Sequence, residues 1–162
     1  MTLKFLSADI TTLKVDAIVN AANTQLLAGG GVCGAIFRAA GYRELQAACN
    51  ALAPIQTGEA VITPGFNLPA KFIIHTAGPI YQGGQFGEEN FLRACYTNSL
   101  KLAVENNLKS IAFPLISSGI YGYPPGDALK VAVRAIKDFP GYLDVTLTLM
   151  NKSLLDMAAS IV

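Results

Sequence analysis

"VDAIVNAANTQLLAGGGVCGAIFRAAGY", residues 15–42, carries a short apolar run through three consecutive glycines into a helix-like segment. Ala17 to Asn20 reads as a strand and Gly34 to Ala40 as a helix. Glycine gives up more conformational entropy on folding than any other residue. Three in a row therefore mark a path, or a close approach, that a side chain would block. Asn20 and Asn23 stand at the end of the apolar run, and Cys33 sits where the glycine loop meets the helix.

Outward from this stretch, the same alternation repeats. Further strand candidates are Leu3 to Ser7, Ala60 to Thr63, Phe72 to His75, Ile111 to Pro114 and Val145 to Met150. Helix candidates are Arg43 to Leu52, Glu88 to Asn106, Gly126 to Asp138 and Lys152 to Ile161. In the longest, Phe91, Leu92, Cys95, Ser99, Leu102 and Ala103 recur at helical spacing and form a stripe that can cover one side of a sheet. Strands alternating with helices predict a layered α/β domain. "TPGFNLP" reads as a turn, and "GPIYQGGQFGEE" as a flexible surface loop leading into the long helix. With no linker, repeat or low-complexity tract, residues 1–162 are expected to form one domain.

Composition narrows the function. Hydrophobic residues make up 52% of the 162 and charged residues 14%, which excludes a disordered polyelectrolyte and implies a large core. A net charge of +1 gives no electrostatic case for gripping long nucleic acid, so a nucleotide ligand is expected to be small. The N-terminus lacks a signal-like apolar core and no run is long enough to span a membrane, so a cytoplasmic location is expected. Cys33, Cys49 and Cys95 are widely spaced and odd in number, which suggests reduced thiols rather than disulfides or a zinc site.

In open α/β sheets ligands favour the crevice beyond the carboxyl ends of the strands. Two segments with unusual chemistry begin there. One is the asparagine and glycine stretch after Asn20. In the other, "FPLISSGIYGYPPGDA", Ser117, Ser118, Gly119 and Gly122 follow a strand and precede a helix, so their N–H groups and hydroxyls can wrap an anion such as a pyrophosphate.

Taken together and in order, "VDAIVNAAN", "GGGV", "GAIFRAAG", "IHTAGPIY" and "FPLISSGIYGYP" resemble the macrodomain family, most nearly its MacroD-type branch. The resemblance runs from "ADITTLKVDAIVNAAN" at least to "ALKVAVRAI". It implies a three-layer α/β/α fold with a mixed sheet of about six strands, and a cleft for ADP-ribose or an ADP-ribosylated protein. No cofactor or metal is implied, and a monomer is expected. Asp9 resembles the adenine-recognising carboxylate, with the Ile10 backbone beside it; the competing reading is that Asp9 caps a turn with Thr11 and Thr12. Asn23 resembles the asparagine that holds the distal ribose, while Asn20 shapes the loop or meets the ligand. Gly30, Gly31 and Val32 match the first diphosphate loop. Ser117, Ser118, Gly119, Ile120 and Tyr121 match the second, with Tyr121 closing over the distal ribose. Met150 falls near the adenine-stacking position, and His75 near a structural one.

Two positions depart from the MacroD-type pattern. Cys33 and Phe37 stand where that branch has an aspartate and, four residues later, a histidine. A cysteine is a poor substitute for a carboxylate that orients water. The implied activity is hydrolysis of mono-ADP-ribose from acidic side chains or deacetylation of O-acetyl-ADP-ribose, with Asn23 and Cys33 at the catalytic positions. The alternative is a non-catalytic reader of ADP-ribosylated proteins. Binding of other nucleotides or RNA ends is more remote.

Overall fold

A computed structural model describes residues 1–161. The expected strands form as β1 (Thr2–Leu6), β2 (Ala17–Ala22), β3 (Ala60–Pro64), β4 (Phe72–Ala77), β5 (Ser110–Phe113) and β6 (Asp144–Thr148). They make one sheet in the order β1-β6-β5-β2-β4-β3. All neighbours are parallel except the edge pair β3 and β4. The helices are α1 (Gly31–Ala40), α2 (Tyr42–Asn50), α3 (Glu88–Glu105), α4 (Pro125–Asp138) and α5 (Lys152–Ile161).

The period-two geometry of β2 explains the layering. Ala17 and Val19 join a core with Leu92 and Tyr96 of α3, Leu129 of α4 and Ala158 of α5, whereas Ile18 and Ala22 join a core with Ile36 of α1 and Leu45 of α2. Both sheet faces are therefore covered, and a central strand covered on both faces reads as a nearly continuous apolar run. The architecture is a three-layer α/β/α domain around a mixed six-stranded sheet.

Two sequence expectations need correction. First, α1 begins at Gly31 rather than near Gly34, so Val32 and Cys33 lie in its first turn. Second, the segment read as a flexible surface loop is tied down from within. The Glu88 carboxylate accepts the N–H groups of Gln82 at 2.8 Å, Gly84 at 3.0 Å and Phe86 at 2.7 Å. These donors, Gln82 foremost, hold its pKa down to about 2. Glu88 also opens α3, where the helix dipole favours a negative charge.

Candidate functional site

The central parallel strands β2, β4 and β5 end side by side, and the chain leaving them frames a cleft of about 240 Å³. One wall is Asn23 with Gly29 to Cys33. The other is Ser117 with Gly119 to Tyr121, and Gly78 lies beyond β4.

The first wall is held by side chains reaching back to its own backbone. Asn23 donates Nδ2–H to the Leu27 carbonyl at 2.8 Å, and its Oδ1 accepts Leu27 N–H at 3.0 Å. From α2, Gln46 accepts Ala28 N–H and donates to the Leu26 carbonyl, both at 3.0 Å. Asn23 thus does the loop-shaping expected of Asn20 and still lines the cleft. Gly31 adopts φ +58°, a left-handed conformation that disfavours a Cβ. The first amide bonded within α1 is that of Gly34, to Gly30 at 3.3 Å. The N–H groups of Gly31, Val32 and Cys33 precede it, as the leading donors of any helix do.

Cys33 is buried in the same wall, with Sγ 3.8 Å from the Leu27 carbonyl. Phe37, expected beside the reaction centre, instead fills the α1–α2 core and packs on Tyr42 at a centroid distance of 6.0 Å. One turn further along α1 from Cys33, it faces inward, so its large apolar side chain is a core residue here.

The second wall is equally preorganised. Ser117 holds φ +67° and donates Oγ–H to the Pro79 carbonyl at 2.8 Å, while Ser118 donates to the Leu115 carbonyl at 2.8 Å. Each hydroxyl has one proton and has used it. The expectation that the serine hydroxyls donate to an anion is therefore corrected: this wall offers main-chain donors. Gly78 permits the chain leaving β4 to pack against the second wall, because a Cβ there would collide with Ser117 Oγ and lie 2.7 Å from Ile116 Cγ2. Ile120 is 88% exposed, yet its Cδ1 would lie 3.8 Å from a Cβ on Gly30, so it leans toward the first wall.

Other expected ligand residues lie apart from this lining. Asp9 caps the short 3₁₀ turn Ile10–Thr12: its Oδ1 accepts Thr11 N–H at 3.0 Å and Thr11 Oγ1–H at 2.7 Å. The turn-capping reading thus describes one carboxylate oxygen. Ile10 is buried in the α1–α2 core. Met150, 77% exposed, follows β6, so Asp9 and Met150 sit beyond the ends of the adjacent strands β1 and β6. Asn20 does not face the cleft. It is buried, and its Nδ2 lies 3.0 Å from His75 Nδ1, so its placement among ligand contacts is corrected to a core role. Sequence reasoning missed Gln46 and Gly78; a glycine immediately after the strand in "IHTAGPIY" was the available signal for the latter.

Among the described residues no group of three or more His, Cys, Asp or Glu is arranged to hold a metal ion, and no helix is long and apolar enough to cross a membrane. Comparison with known proteins gives concordant matches. The macro domain family model matches residues 19–132. A macro domain-containing protein of Ralstonia nicotianae is 58% identical over 144 residues, covering 89% of this chain and 84% of that protein. An O-acetyl-ADP-ribose deacetylase of Salmonella typhimurium is 52% identical over 141 residues, covering 85% and 78%. A variant of the Oceanobacillus iheyensis macrodomain, solved with ADP-ribose, superposes with a TM-score of 0.93 at 40% identity, covering 98% of this chain and 90% of that one. With a family model spanning most of its length and relatives more than half identical, the chain belongs to the macro domain family.

Proposed function

We propose that this protein binds ADP-ribose along the row of strand ends and hydrolyses the ester of O-acetyl-ADP-ribose or the bond between mono-ADP-ribose and an acidic side chain. The observation that carries the reading is the pair of facing loops, whose donors are chiefly main-chain N–H groups and whose first wall includes the opening turn of α1. Such amides, with the positive end of a helix, recognise a diphosphate without Lys or Arg. Relatives named as O-acetyl-ADP-ribose deacetylases and neighbours solved with ADP-ribose support the substrate.

In this reading Asp9 Oδ2, which has no hydrogen-bond partner among the described residues, accepts the adenine amine, and Met150 covers the ring. The diphosphate lies between Gly30, Gly31 and Val32 on one side and Ser117 to Tyr121 on the other. The distal ribose meets the remaining N–H of Asn23 and the ring of Tyr121. Water held between the diphosphate and the loops attacks. Cys33 serves as packing beside that water: its thiol contacts the Leu27 carbonyl, and the chain's only histidine is buried against Asn20 and Thr63. The same absence of a carboxylate at position 33 favours, as second reading, a module that binds without turnover. A time course with O-acetyl-ADP-ribose separates them: release of acetate in proportion to enzyme supports the hydrolase, and ADP-ribose binding without acetate release supports the reader.

A further inference from the structure

Gly78 and Tyr121 line the cleft and also a second recess of about 290 Å³. Its walls include Ile80, Phe86 and Phe91, with Thr24 and Thr57. These three large apolar side chains are 58%, 67% and 44% exposed, so they form an apolar patch open to solvent rather than part of the core. Clustered apolar exposure of this kind marks a binding surface more often than scattered single residues do.

The recess is also rigidly built. Glu88, itself 2% exposed, fixes the segment carrying Phe86 by accepting its N–H. The Phe91 ring rests against two turns, 3.6 Å from where a Cβ would lie on Gly58 and 3.7 Å from one on Gly87. Thr24 directly follows Asn23, which puts the recess beside the Asn23 end of the cleft, where the distal ribose is placed above.

Resting on that functional reading, we propose that this recess is an acyl subsite, and that the enzyme prefers O-acyl-ADP-ribose esters with chains longer than acetyl. A peptide is the poorer occupant. It would bring a run of backbone polar groups needing partners, whereas Ile80, Phe86 and Phe91 offer none and the Glu88 carboxylate is already spent on loop amides. In the reaction, the oxygen of water bonds to the ester carbonyl carbon and the bond from that carbon to the ribose oxygen breaks. One water proton ends on the ribose hydroxyl, and the acyl group departs as a carboxylate with the other proton released to solvent.

The test compares O-butyryl- with O-acetyl-ADP-ribose by kcat/KM and by calorimetric affinity, in the wild type and in Phe86→Ala and Ile80→Ala. Both substituted side chains are mostly exposed, so folding is not at stake. Each buried methylene is expected to favour the longer ester about fourfold, giving a butyryl preference of about tenfold or more. That preference should fall toward unity in Phe86→Ala. Acetyl ester turned over without chain-length preference, or a preference unmoved by both substitutions, overturns the acyl subsite and leaves the hydrolase reading intact. If ADP-ribose binds but no ester is cleaved, the affinity ratio of the two esters decides the subsite in the same way while the hydrolase reading fails. Failure to bind ADP-ribose overturns both.

Discussion

His75 shows how a residue with catalytic potential is taken out of solution chemistry by its neighbours. Parallel register places it opposite Asn20, and β3 brings Thr63 to its other side. The Thr63 hydroxyl donates to the Pro64 carbonyl at 3.1 Å, so it accepts from Nε2–H at 3.0 Å; Nδ1 is then the acceptor for the Asn20 amide. Burial lowers the imidazole pKa to about 4. The unfolded chain, with a pKa of about 6.5, takes up the proton first. This contribution to stability is therefore complete above about pH 6.5 and lost as pH falls through about 4, of order 3 kcal/mol in all. Since no other histidine is present, one NMR titration checks it: a midpoint near 4 is expected, and a midpoint near 6.5 in folded protein contradicts the burial. At Cys33 the expectation is that Cys33→Ala keeps most ester hydrolysis, because the thiol acts neither as base nor as nucleophile. A folded variant that binds ADP-ribose normally yet loses nearly all turnover would show that the sulfur takes part in the chemistry. The identity of these residues was plain in the sequence, but the core role of Asn20 and the loop-shaping role of Asn23 were not. They depend on contact between strands 55 positions apart and on a bond to Leu27 that no local pattern announces.

The elements themselves were the most legible feature, because apolar runs and helical stripes report burial directly. Each expected strand was found within a residue or two of its limits. The start of α1 was missed because glycine is a poor helix former, a preference that applies to helix interiors and weighs less at a first turn. The tie between Glu88 and its preceding loop was missed for another reason: a carboxylate folding back onto main-chain amides leaves no hydrophobic signal. Glu88→Gln should weaken that tie and speed hydrogen exchange at Gln82, Gly84 and Phe86; unchanged protection would show that the loop is held by something else. Glu88 has a depressed folded pKa, so its contribution is present above the ordinary carboxylate value of about 4.3 and is lost as pH falls through about 2. Acid unfolding of Glu88→Gln should accordingly depend less on pH in that window. Gly78→Ala tests the packing of the turn after β4 on the second wall. Its Cβ must displace Ile116 or Ser117, with an expected loss of about 1–3 kcal/mol in urea unfolding. A change within about 0.5 kcal/mol would mean that the loops yield freely.

Across the whole molecule, the sheet order places the ends of β1, β6, β5, β2 and β4 in a row, with Asp9 and Met150 at one end and Gly78 and Tyr121 toward the other. A ligand that spans this row must be elongated and carry its anionic charge in the middle, where the loop amides are, as ADP-ribose does. Asp9→Ala should weaken binding by roughly 1.5–3 kcal/mol, the range for a hydrogen bond involving a charged group. The most direct test is calorimetric titration of the wild-type protein with ADP-ribose, using AMP as comparison. The expected dissociation constant is micromolar or tighter, about −8 kcal/mol at that limit, with much weaker binding of AMP, which lacks the second phosphate and distal ribose. Folded protein that gives no heat with ADP-ribose, and from which ADP-ribose displaces no bound nucleotide, would contradict it.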